Sequence, residues 1–336
     1  MSNQEFIFQS DDFKLANRED LYVDKVYENQ SFWKDVATRL AANKGALIGL
    51  ILITIIVLFA IIVPMVIDHG INDVNVIQQS LPPRIPGLES MGIADGYLKG
   101  VDVYAAKGAS DLYYFFGTDT LGRDLWLRTW SGTRVSLLIA AAAVVIDMVI
   151  GMSYGLISGY FGGAVDMVMQ RIVEVINSIP TLVLATLMIV VMKPGIIPIL
   201  VVLVLTGWIG MSRVARAQIL KLKEQEFILA SRTLGSGNFR IIFKDILPNI
   251  FGQLIIMSMF SIPNAIFTET FLSFIGLGIP APDVSLGVLI SEGFKSFMLY
   301  PYMTLIPAVI LGILMLSFNL LADGLKDAFD PKMKEM

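Results

Sequence analysis

Asp147 and Glu269 interrupt long apolar runs, where a charge is costly unless it is paired or faces water. Such a residue marks either a solute path or a buried tie to a neighbouring helix, and for Asp147 both readings stand. A second set recurs at helical spacing. Asn249, Gln253, Met257, Phe260 and Asn264 make one partly polar stripe. Its amides either line a path or hydrogen-bond to other helices of the same subunit. Asp147, the stripe and Glu269 are therefore the candidate translocation residues. Arg171, Glu174 and Ser178 share a face at i, i+3 and i+7, which predicts a bland Arg171–Glu174 ion pair.

Other chemistries lack their residues. The chain has no Cys and a single His, His69, so neither thiolate metal sites nor a zinc constellation can be built. No nucleophile, base and acid cluster together, so no catalytic, metal or cofactor residue is assigned. No Gly-x-x-x-x-Gly-Lys-Ser/Thr occurs to cradle ATP phosphates. Any ATP-driven step, with its Mg, falls to another subunit. Nothing points to nucleic acid.

The elements that must position these residues are membrane helices. Of 336 residues 55% are hydrophobic and only 16% charged, too apolar for one soluble domain. Residues 1–44 are polar, show no cleavable signal, and carry an amphipathic stretch (Phe32, Val36, Leu40) that fits an interfacial helix. Residues 45–67 form the first span, and residues 68–132 a long loop. Residues 133–323 hold five further spans: 133–158, 166–192 broken at Pro180, 196–211 continuing through Arg213 and Arg216, whose side chains snorkel, 250–275, and 302–321. Residues 276–301 read as a loop, and residues 324–336 as a tail. Seventeen of the 25 Lys and Arg fall on one side in this arrangement, among them Lys14, Arg18, Lys25, Lys332 and Lys334. The positive-inside bias puts both termini in the cytoplasm of a multi-pass plasma-membrane protein.

Between the fourth and fifth of these spans lies a patterned basic loop, residues 221–250. Its first half favours helix and carries small Ala230 and Ser231 beside Arg232 and Leu234. Gly235 and Gly237 break it. Asn238 is expected to cap a second short helix, which Pro248 stops. A small–small–x-x-x-Gly corner closed by Leu247-Pro248 resembles the coupling loop of ATP-binding-cassette importer permeases, with Leu229 and Asp245 standing where that pattern has glutamate and isoleucine. Further resemblance lies in GTDTLGRD (117–124) after the Pro82-Pro83 pair, SGYFGG (158–163), ETFLSFIGLGIPAP (269–282) and FNLLADGLKDAFDP (318–331). Where the family has Trp-Gly in its last long loop, this chain has Leu286-Gly287. Residues 84–112 look like an insertion.

The chain is thus similar to the C-type permeases of dipeptide and oligopeptide importers. The resemblance implies an all-α polytopic membrane protein with six transmembrane helices, a type I (MetI-like) transmembrane domain. It implies a non-catalytic half-pore for peptides in membrane lipid, a second homologous permease, two ATPase subunits carrying ATP and Mg, and an extracytoplasmic substrate-binding protein. Ala230, Ser231, Arg232, Leu234, Gly235 and Gly237 would dock on an ATPase. Import of another solute, such as a nickel complex or glutathione, remains open. An ion-coupled secondary transporter is the alternative of a different class, although no inverted repeat supports it.

Overall fold

The computed structural model describes residues 32–329. Expectations resting on residues 1–31 and 330–336, including Lys14, Arg18, Lys25, Pro331, Lys332 and Lys334, lie outside the described residues.

Among the described residues, five helices are long and apolar enough to cross a membrane: Lys44–Val66, Leu125–Phe161, Ile196–Leu222, Asn238–Phe274 and Tyr302–Phe329. A sixth span results if Gly163–Ser178 and Thr181–Met192, bent by 77° at their junction, are taken together. The bend has a local cause. Pro180 lacks an N–H and drives Ile179 out of the helical region, to φ −84° and ψ 119°. Counting this pair as the third, the spans are numbered one to six below.

Three boundaries differ from the sequence reading. The second span begins at Leu125 rather than 133, because Asp124 Oδ1 accepts from the Trp126 amide at 2.8 Å and caps the helix there. Pro248 does not stop a short helix: the fifth span is helical from Asn238 to Phe274. A π-helical stretch, Ile241–Ile246, widens the turns just before Pro248, and Asn249 Nδ2 donates to the Asp245 carbonyl at 2.6 Å. Asn238 does not cap, since Gly237 holds that position; its Oδ1 accepts instead from the Tyr160 hydroxyl at 2.9 Å. Finally, residues 276–301 are not all loop. They contain the helix Leu286–Phe294, capped by Ser285, whose Oγ accepts from the Val288 amide at 3.1 Å.

Close backbone approach organises the packing. Gly151, Gly155 and Gly159 fall every fourth residue on one face of the second span, against the fourth. A Cβ at Gly155 would stand 2.3 Å from the Ser212 carbonyl oxygen, and one at Gly151 2.7 Å from that of Trp208. Small residues at this spacing are how membrane helices gain dispersion contact where lipid tails offer no hydrophobic drive. Gly49 meets the Ser317 carbonyl of the sixth span in the same way, at 2.6 Å. The helix Phe32–Ala42 precedes the first span. It buries Val36, leaves Trp33 exposed with its ring 6.3 Å from Phe329, and ends at Asn43, which caps the first span.

Residues 84–114 form a small module on the long loop. Arg84 stacks on Tyr104 and Tyr113 at 5.0 and 4.8 Å, and donates to Glu89 Oε2 at 3.0 Å and to the Ser110 carbonyl at 2.7 Å. The Tyr104 hydroxyl, fully buried, donates to the Pro82 carbonyl at 2.9 Å.

Gly155→Leu must separate the second and fourth spans. We expect about 2–3 kcal/mol lower stability in denaturant titrations of the detergent-purified protein, against less than about 1 kcal/mol for Gly312→Ala, which meets no neighbour.

Candidate functional site

The loop between the fourth and fifth spans is a short helix, Glu226–Thr233, held by one deep anchor. Ile228 is fully buried among Leu156, Ile219, Ile241 and Ile246, at the ends of the second, fourth and fifth spans. Around the anchor, Arg232 stacks on Tyr160 at 5.2 Å, and Tyr160 holds Asn238. The helix ends in two reversed hydrogen bonds, Ser236 N to the Ser231 carbonyl at 3.0 Å and Gly235 N to that of Arg232 at 2.9 Å. That closure requires a left-handed residue, and Gly235 has φ +82°. Ala230, Arg232, Leu234, Gly235 and Gly237 are exposed, and Ser231 is half-buried. Leu234 is 86% exposed at the tip and Phe239 74%. A Cβ at Gly235 would meet nothing within 4 Å, so what disfavours a side chain there is the positive φ.

The structure separates the remaining candidates into two groups. Asn249, Gln253 and Asn264 are exposed, and Met257 and Phe260 half-buried, so the stripe faces away from this chain's own bundle. Asp147 and Glu269 are turned inward, which for Asp147 favours the buried tie over the solute path, the two readings left open by its sequence. Asp147, 3% exposed, sits in the π-helical stretch Asp147–Gly151, which packs against the fifth span. Glu269, 0% exposed, accepts from three serines: Ser136 of the second span at 3.1 Å, Ser273 at 2.8 Å and Ser285 at 2.6 Å. Because Ser285 also caps Leu286–Phe294, Glu269 ties that helix to two spans. Leu286, fully buried beside Trp130 and Ile266, fills this corner without an aromatic ring.

At the opposite end GTDTLGRD forms a clamp that the sequence reading did not assemble. Gly117 and Gly122 have φ +76° and +77° and lie against the backbone of residues 75–82; a Cβ at Gly122 would stand 1.9 Å from the Asn75 carbonyl oxygen. Thr118 Oγ1 accepts from the Leu81 amide at 2.8 Å, and its carbonyl accepts from the Tyr302 hydroxyl at 3.0 Å. Asp119 Oδ2 binds Arg123 Nε at 2.6 Å. Arg123 and Arg128 both reach Glu292 Oε2, at 3.0 and 3.1 Å, across more than 160 residues of sequence. Burial pushes the Asp124 carboxyl above the usual aspartate range, against the pull of the Trp126 amide and of His69, whose Nε2 is 3.2 Å away. No sequence signal named Glu292 as the partner, because ion pairs carry no spacing rule across loops.

A matching clamp closes the end that carries the helix Glu226–Thr233. Arg216, expected to snorkel freely, instead holds Asp166 in two bonds of 2.6 and 2.5 Å. The Arg171–Glu174 pair forms as expected at 2.6 Å, fully on the surface.

Residues 151–335 match the family described as binding-protein-dependent transport system inner membrane component, and residues 31–83 the N-terminal TM domain of oligopeptide transport permease C. The chain is 40% identical to the oligopeptide transport system permease protein OppC of Bacillus subtilis over 91% of both chains. It is 42% identical to the dipeptide transport system permease protein DppC of Lactococcus lactis, over 91% of this chain and 92% of that one. Among solved structures, the fold resembles a chain of the MetNI methionine ABC transporter in an inward-facing conformation, with TM-score 0.50 at 20% identity, covering 60% of this chain and 97% of that one.

Arg128→Met removes the buried cation from the clamp and leaves Glu292 with Arg123 alone. The expected loss is about 3 kcal/mol. A double-mutant cycle with Glu292→Gln should show coupling of about 1 kcal/mol or more, where independent sites would add.

Proposed function

This chain belongs to the family of binding-protein-dependent transport system inner membrane components, and on that premise we propose that it forms half of the pore of an ATP-driven peptide importer. The observation that carries the reading is the anchored helix Glu226–Thr233 with its apolar, exposed tip at Leu234. A two-state pore responds to ATP only if the ATPase's movement reaches the spans, and an ensemble shifts only by differential contact with its states. Ile228 makes that transmission stiff. A push on Leu234 or Arg232 bears on the core shared by the second, fourth and fifth spans. Ala230 and Ser231 let a groove on the ATPase approach the helix backbone.

In this reading ATP and Mg are held by two ATPase subunits, and a second homologous permease completes the pore. The coupling end and both termini face the cytoplasm, and the clamp end faces an extracytoplasmic binding protein. The stripe Asn249, Gln253, Met257, Phe260 and Asn264 lines the path between the two permeases. Amides and a thioether suit peptide backbones of varied sequence, since they hydrogen-bond without imposing a charge. Asp147 and Glu269 serve the path indirectly, by fixing helices on either side of it. The 84–114 module is a docking surface for the binding protein. Its ends meet where the Arg84 amide donates to the Tyr114 carbonyl at 2.9 Å, so it can be excised without stretching the loop.

The importer reading is tested by purifying the chain from its native membrane with its companions. A second permease and ATPase subunits should accompany it, and peptide-stimulated ATP hydrolysis should fall at least about tenfold in Leu234→Asp, while the complex still assembles. A lone chain, or hydrolysis indifferent to Leu234→Asp, overturns it. Replacing residues 85–113 by two glycines should weaken binding-protein docking and leave basal ATP hydrolysis unchanged; unaltered docking removes the role given to the module.

A further inference from the structure

An open cavity of about 330 Å³ lies at the clamp end, between the first, second and fourth spans and residues 279–284. Its floor is apolar, with Pro64, Leu138 and Ile196. Its polar wall holds Arg134 and Asp283, and the two carry opposite charges. Both are exposed, and among the described residues neither forms an ion pair, with the other or with anything else. Ser131 also lines the cavity. It is 94% buried, and its hydroxyl finds no hydrogen-bond partner among the described residues. A buried hydroxyl without a partner is costly unless a ligand or water completes it.

We propose that this cavity binds the headgroup of an ethanolamine phospholipid, its phosphate on Arg134 and its ammonium on Asp283. Two separated, unpaired charges of opposite sign suit a ligand that carries both. The guanidinium offers a planar donor fork to phosphate oxygens, and a primary ammonium brings N–H donors to the carboxylate. A choline head has no such donors. Ser131 would donate to a phosphate or ester oxygen.

Depth and shape support a lipid over a soluble zwitterion. Trp126 and Trp130 cluster with Phe59 at 5.7 and 4.9 Å, and such aromatic groups mark the membrane–water boundary. Arg134 lies one turn further along the same helix than Trp130, about 6 Å by helical rise, within snorkelling reach of the headgroups. Beyond it Leu138, Val145 and Val149 are 62%, 60% and 61% exposed at helical spacing, an apolar track continuing from the cavity and long enough for an acyl chain to follow.

The test is lipid retention. The full chain, with whatever subunits accompany it, is exchanged into nanodiscs of equal parts ethanolamine, choline and glycerol phospholipids with identical acyl chains. It is then stripped with detergent and read by native mass spectrometry. Wild type should retain one ethanolamine lipid per permease. Arg134→Ala should retain at least about tenfold less, the cost of one charge-assisted contact. Arg134→Lys should recover part of it, which a merely unfolded variant would not. Asp283→Asn should still retain lipid but lose the preference for ethanolamine over choline. Equal retention by wild type and Arg134→Ala, or no retained lipid in wild type, overturns the proposal. So does displacement of the retained species by millimolar tripeptide, which would make the cavity a peptide site.

Discussion

A methyl group at Gly155 would sit 2.3 Å from the Ser212 carbonyl, and the rest of the structure depends on that closeness. In hydrocarbon no hydrophobic force presses one span against the next. The second and fourth spans hold together because their backbones touch along Gly151, Gly155 and Gly159, which maximises dispersion contact. Their ends, so joined, form the pocket that receives Ile228. The helix Glu226–Thr233 is therefore firmly anchored because three glycines upstream of it are small.

Polar ties complete what close packing begins, and they are concentrated at the two ends. Arg216 grips Asp166 at the coupling end, and Arg123 and Arg128 grip Asp119 and Glu292 at the clamp end. Between them the carboxyl of Glu269, 0% exposed, has no cation beside it among the described residues; three serine hydroxyls serve in place of one. Buried charges held this way leave the middle of the bundle without a strong ionic lock. Two breaks lie there or beside it, the π-helical stretch Asp147–Gly151 and the bend at Pro180, while a second π-helical stretch, Ile241–Ile246, lies where the fifth span leaves the Ile228 anchor. Stiff ends joined by interrupted helices suit a pore that must change shape while its couplings stay intact.

Much of this was legible beforehand, because membrane insertion forces long apolar runs and because turns need particular residues. The spans, the bend at Pro180, the corner at Gly235 and the Arg171–Glu174 pair each follow from local physics. The start of the second span was misplaced because Asp124 caps a helix whose first turns are polar enough to read as loop. Pro248 was misread because its missing N–H is absorbed by a π-helical stretch, which hydropathy does not reveal. The Gly151, Gly155, Gly159 spacing was present in the sequence and could have named the second–fourth seam.

The sequence alone determined that the chain is helical, membrane-embedded and unable to hydrolyse ATP through a Walker loop, since hydropathy and motif residues are local properties. It also located the small–small–x-x-x-Gly corner at Ala230, Ser231 and Gly235. Only the tertiary structure decided which way each polar side chain faces. Asp147 and Glu269 look like the stripe residues in sequence, yet they turn inward while Asn249, Gln253 and Asn264 stay on the open face. The reason is geometric. A helix presents every direction once in each turn, and only its neighbours determine which direction is inside.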